Sequence, residues 1–218
     1  MIKKHNLFIT FLISFGSYII YVLAQSLGNS MLSRNDILSS YKELIVGILF
    51  IVLMFSLYRK RINESFKSFI KDFKSNWLKI LLVSGILIGL EIGISLLLQH
   101  FNIYSGNQLE AANELKHSGI PTLIYFAIVG TIVEECCFRL PYTMVDNNNK
   151  LVTYIFYSIV FASIHLLMTT SLLSLLYIIP YLLLSFGIGY GFYKTDNILM
   201  STIVHIINNC IGIMLILL

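Results

Sequence analysis

Glu134 and Glu135 stand side by side in the apolar stretch Ile132-Val133-Glu134-Glu135-Cys136-Cys137-Phe138-Arg139, with an arginine one helical turn after the second acid. A single charge at the centre of a membrane helix costs upwards of about 2.5–3.5 kcal/mol. A stretch this dense in ionisable groups therefore requires a compensating partner, a water-filled cavity or a function. Glu135 and Arg139 are four apart, acid before base, so on a helix they share a face and can pair. Glu134 is rotated by about 100° from its neighbour. It escapes the arginine and is left to work as an acid or a base. The alternative is a structural network that buries all three groups.

Two later stretches carry further polar side chains. Phe161-Ala162-Ser163-Ile164-His165 sets an aromatic ring and an imidazole on one helix face. His205-Ile206-Ile207-Asn208-Asn209 sets His205 and Asn209 on another, with Asn208 nearby. One intramembrane histidine is often only a hydrogen-bonded packing residue. Two of them, with a glutamate pair and little else ionisable in the spans, point to one shared polar site.

The elements that must position these groups are apolar helices. Of the 218 residues, 57% are hydrophobic and 12% charged, and the mean hydropathy is +0.82. Soluble domains carry roughly 25% charged residues. The chain reads as an all-α, polytopic transmembrane bundle in the cell membrane. Seven spans are expected, at about 7–27, 43–58, 77–98, 121–145, 151–169, 171–192 and 197–218, set against the roughly 20 residues that cross a bilayer; the second is short, and the fifth and sixth are barely separated. The polar site falls among the last four. Residues 1–120 form the N-terminal helices with a basic loop, and 121–218 the helical core that carries the site, all within one membrane domain.

Loop 59–76 holds Arg59, Lys60, Arg61, Lys67, Lys71 and Lys74 against Glu64 and Asp72, which places it and the N-terminus in the cytoplasm. It is either an ordinary basic loop or an interfacial helix, since Ile62, Phe66, Phe69, Ile70 and Phe73 recur at helical spacing. Loop 99–120 then lies outside. Asn147-Asn148-Asn149 marks a turn. With 1.5 Å per residue, Glu134, His165 and His205 fall about 18, 22 and 13 Å from the cytoplasmic turns, compatible with one cavity. Gly85, Gly89 and Gly93 form a small-residue stripe expected to admit another helix of the same bundle, with a dimer interface as the alternative, and Gly187, Gly189 and Gly191 suit close packing or local helix irregularity. Cys136, Cys137 and Cys210 are expected as buried free thiols. The net charge of +4 is concentrated in one loop, and no phosphate loop or nucleic-acid footprint is present.

Glu-Glu-x-x-x-Arg, then Phe-x-x-x-His, then His-x-x-x-Asn, each on a separate late membrane helix, resembles the CPBP intramembrane proteases. These are the CAAX prenyl endopeptidases and bacteriocin-processing proteins of the Abi family. The resemblance rests on Glu134, Glu135, Arg139, Phe161, His165, His205 and Asn209, and covers roughly residues 121–218. One departure is that Leu140-Pro141 follows the motif arginine, where many family members have glycine.

The resemblance implies an intramembrane endopeptidase. Glu134 would activate water, partnered by His165. His205 and Asn209 would stabilise the oxyanion. Glu135, Arg139 and Phe161 would support the site. The implied substrate is a membrane-associated peptide or protein, with peptide maturation or self-protection against a bacteriocin as the role. Zinc is the competing chemistry, with Glu134, His165 and His205 as three ligands and an open position for water. No His-Glu-x-x-His pair is present, so no cofactor is expected. Two other functions are weighed. One is a non-catalytic scaffold that binds a peptide, a sensor kinase or an envelope protein. The other is a proton-linked transporter. The oligomeric state is not legible.

Overall fold

In the computed structural model the described residues are 6–31, 36–117, 119–145, 150–167 and 171–217. The Asn147–Asn149 turn and Lys3-Lys4 lie outside them. The chain folds as helices: α1 (Leu7–Met31), α2 (Asp36–Leu57), α3 (Arg59–His100), α4 (Gly106–His117), α5 (Gly119–Ile124), α6 (Gly130–Phe138), α7 (Lys150–Ile164), α8 (Ile178–Thr195) and α9 (Ile198–Leu217). A π turn, Tyr125–Val129, joins α5 to α6, and a 3-10 turn, Leu173–Tyr177, leads into α8.

Among the described residues, five stretches are long and apolar enough to cross a membrane: Leu7–Gly28, Arg59–His100, Gly119–Met144, Leu173–Thr195 and Ile198–Ile216. The other two expected spans take different forms. The second lies within α2. The fifth is cut to the fifteen residues of α7, because the chain turns out of the helix after Ile164.

Residues 59–76 are not a loop. They form the first part of α3, a continuous helix of 42 residues that at 1.5 Å per residue is about 63 Å long. No glycine or proline interrupts 59–84, and Ile62 and Ser65 are buried along one side. That side is anchored by Asn197, between α8 and α9. Its Nδ2 lies 2.8 Å from the Ser65 carbonyl, 3.0 Å from Ser68 Oγ and 2.9 Å from Asp72 Oδ2. Its Oδ1 accepts the Leu199 N–H and caps α9.

The centre of the bundle is α8, packed against α3, α7 and α9. Its glycines explain the closeness. A Cβ on Gly189 would lie 2.8 Å from the Tyr157 ring, one on Gly187 3.2 Å from Ile88, and one on Gly191 3.1 Å from Met200. The α3 stripe behaves differently. A Cβ on Gly85, Gly89 or Gly93 would meet nothing within 4 Å. Among the described residues no helix packs closely on that stripe, and α8 packs on a different face of α3, where Ser84 Oγ donates to the Gly187 carbonyl.

Helix α6 is wrapped by α1, α2, α7 and α9. Cys136, Cys137, Phe138 and Leu140 pack there with Tyr21, Phe50, Met54 and Phe161. Cys136 and Cys137 are buried free thiols, whereas Cys210 is only partly buried.

Candidate active site

Two helix faces build the site. On α6 and its C-cap, Thr131, Glu135 and Arg139 recur every four residues; on α9, Ser201, His205 and Asn209 do the same. The two ladders pair in antiparallel order. Asn209 Nδ2 donates to Thr131 Oγ1 at 2.9 Å. His205 Nδ1 lies 2.9 Å from Glu135 Oε1, and Ser201 Oγ donates to Glu135 Oε2 at 2.6 Å. A carboxylate only accepts, so the His205 proton in this contact sits on Nδ1.

Glu135 also forms an ion pair with Arg139 at 3.0 Å, and both side chains are essentially inaccessible. The contact is held by charge rather than by an aligned N–H, since Arg139 Nη1 and Nε make no hydrogen bond. Arg139 Nη2 donates to Ser185 Oγ on α8 at 3.2 Å. The guanidinium lies 4.0 Å from the Phe161 ring centroid, a desolvated cation–π contact. The supporting trio Glu135, Arg139 and Phe161 thus forms one buried unit, and burial of both charges is bearable because each has a partner.

Glu134 is different. Its side chain keeps 32% of its exposure against 1% for Glu135. Its Oε2 lies 3.6 Å from His205 Nε2, and no contact joins it to Arg139. It faces a cavity of about 280 Å³ that also meets Tyr21, Gln25, Tyr125, Glu43 and Glu114. Helices α1, α2 and α4 therefore supply walls beside the motif residue Glu134.

His165 follows directly on α7. Its Nδ1 lies 2.9 Å from the Phe161 carbonyl, which only accepts, so Nε2 of the neutral ring is free to accept. The imidazole packs on Phe161 at 4.5 Å and Tyr181 at 5.0 Å between centroids. Asn209 is committed differently from the sequence expectation of a free oxyanion donor. Its amide N–H groups already reach Thr131 Oγ1 and, at 3.2 Å, the Phe126 carbonyl. That carbonyl belongs to the π turn, whose wider winding frees backbone acceptors. Asn209 can donate to a substrate only by exchanging one of these bonds.

Among the described residues, no three His, Cys, Asp or Glu side chains are grouped as metal ligands. The residue after the motif arginine, Leu140, has φ −58°, an ordinary helical value that needs no glycine. Its side chain is fully buried.

Ser201, Thr131 and Ser185 are the members that sequence reasoning missed. The four-residue spacing from Ser201 to His205 to Asn209 was the available signal.

Residues 116–211 match the family model described as Type II CAAX prenyl endopeptidase Rce1-like. The match contains all seven motif residues, from Glu134 to Asn209. No curated protein and no solved structure matches the chain.

Proposed function

We propose, from the premise that residues 116–211 belong to the type II CAAX prenyl endopeptidase Rce1-like family, an intramembrane endopeptidase that uses Glu134 to activate water. The family implies an intramembrane peptidase in general terms. The division of labour between the two glutamates carries the more specific reading. Glu135 is saturated by Arg139, His205 and Ser201, whereas Glu134 faces the cavity and, among the described residues, has only His205 Nε2, at 3.6 Å, within ion-pair distance.

In this reading the Glu134 carboxylate takes a proton from water as the oxygen attacks the peptide carbonyl. The tetrahedral intermediate carries the negative charge on the former carbonyl oxygen. His205, fixed by Glu135 through Nδ1–H, offers an N–H to that oxygen when Nε2 is also protonated, and Asn209 adds a second donor after releasing Thr131 or Phe126. His165 is the partner of Glu134 and holds the water through Nε2. Collapse of the intermediate breaks the C–N bond, and Glu134 returns its proton to the leaving amine. No acyl-enzyme forms and no metal step is assigned. The substrate is a membrane-associated peptide or protein, and peptide maturation or bacteriocin self-protection are the roles in keeping with the family.

The test is cleavage of membrane peptides by the purified, reconstituted protein beside Glu134→Gln and His165→Ala, with and without chelator. A general base contributes about 10²–10⁴-fold, so Glu134→Gln should lose at least that lower factor while remaining folded. Unchanged cleavage in Glu134→Gln would remove the assignment. Reversible loss with chelator would replace the glutamate mechanism by a metal one.

A further inference from the structure

Lys67, Lys71 and Lys74 lie on the exposed side of α3, opposite the residues that Asn197 anchors. Interleaved with them are Phe66, Ile70, Phe73 and Trp77, at spacings of four, three and four. These four keep 58%, 60%, 42% and 45% of their exposure. The opposite side is packed, so the strip cannot be turned inward.

The depth of this strip follows from Asn197. It stands between two candidate spans, one ending at Thr195 and the other beginning at Ile198. The turn between two antiparallel spans lies at a bilayer surface. Because Asn197 meets α3 at Ser65, Ser68 and Asp72, those residues lie at that surface too. Asp196 at the same turn is ion-paired with Lys150 at the start of α7, which marks the same level. From Asp72 to His100 the rest of α3 is about 42 Å long at 1.5 Å per residue, close to a bilayer with its headgroups, about 40–45 Å.

The geometry points to an anionic-phospholipid contact at this level: Phe66, Ile70, Phe73 and Trp77 enter the acyl–headgroup boundary, and Lys67, Lys71 and Lys74 hold acidic headgroups. Charge complementarity decides the occupant. The three ammonium groups make no ion pair among the described residues, whereas nearby Arg61 is taken by Glu64 and Lys194 stacks on Tyr190 and Tyr193. Lysine stems reach along apolar surface and present their charge at phosphate depth. Each basic residue at an anionic surface favours binding by about fivefold.

The chain supplies its own reporter, since Trp77 is its single tryptophan. The full-length protein is reconstituted in bilayers with brominated lipid at one mole fraction, carried either on an anionic or on a zwitterionic headgroup. Trp77 fluorescence should be quenched more strongly by the anionic brominated lipid, and Lys67→Gln/Lys71→Gln/Lys74→Gln should equalise the two while leaving zwitterionic quenching in place. Equal quenching in the unaltered protein overturns the inference, as does an anionic preference that survives the triple substitution. Absence of quenching by either lipid overturns it too, because Trp77 would then not face lipid. The substituted side chains are surface-exposed, and an unchanged thermal midpoint confirms that the variant is folded.

Discussion

At the scale of the residue, two neighbouring carboxylates are given opposite fates by their partners. Glu135 is an anchor, and replacing it by alanine leaves Arg139 charged and buried. Breaking one side of a buried pair costs about 3–5 kcal/mol, so Glu135→Ala should lose much of the fold in a thermal-denaturation assay. Glu134→Gln should leave that midpoint nearly unchanged and remove turnover. A single assay pair thus separates anchor from reactive group: if the two variants were equally unstable, the division of roles would be wrong. This division was half legible beforehand. The spacing of Glu135 and Arg139 dictates their shared face on any helix, and the 100° offset of Glu134 follows from the same geometry. The serine and threonine partners were not legible, because hydroxyls are common in apolar helices and bond to their own backbone there, as Ser163 Oγ does to Ile159. Only the facing helix reveals which hydroxyl holds a carboxylate.

At the scale of the element, the glycines of α8 and α3 separate by what they touch. Gly189→Ala must push a methyl into Tyr157, and overpacking of that kind costs about 1–3 kcal/mol. Gly89→Ala meets open space and should be neutral or slightly stabilising, since glycine inside a helix costs roughly 0.5–1 kcal/mol relative to alanine. Melting the two variants side by side checks the contrast, and a Gly89→Ala variant that melts well below the parent would place an unseen helix against the stripe. The sequence pattern is the same small-residue repeat in both helices, so periodicity could not tell them apart. The same limit hid the continuity of α3. A run rich in lysine reads as a loop, although its apolar residues already kept a helical period. The π turn before α6 was invisible for a different reason, because five residues are too few for their wider winding to shift a hydrophobic pattern.

At the scale of the whole molecule, the polar features divide between two ends. The lysines of α3 and the α8–α9 turn lie at one. The cavity that reaches Glu134 is bordered at the other by α4 and the far part of α1. If the lysine-rich end is cytoplasmic, as the positive-inside rule expects, a cysteine introduced at Lys67 should react with an impermeant thiol reagent only from the inside, and one at Glu110 only from outside. The opposite labelling would invert the molecule. Near that cavity, burial first and the neighbouring Glu110 second hold the Glu114 carboxyl above its usual value of 4.5. The folded protein therefore binds this proton more tightly than the unfolded chain. The stabilisation is complete below the usual value and disappears as pH rises through the raised one. Glu114→Gln should accordingly raise the thermal midpoint at neutral pH and change it little at acid pH, and the reverse order would contradict the cause assigned.

The thiols of Cys136 and Cys137 sit immediately after the glutamate pair and are sealed within the core, at 1% and 0% exposure. They amount to a clock inside the helix that bears the site. A small alkylating reagent can mark them only when α6 parts from its neighbours, so their labelling rate measures the free energy of that opening rather than the reactivity of the sulfur. Cys210, more accessible, supplies the reference rate in the same molecule. A variant that is catalytically silent with both clocks running at their native pace has lost chemistry; one in which Cys136 and Cys137 are marked early has lost structure.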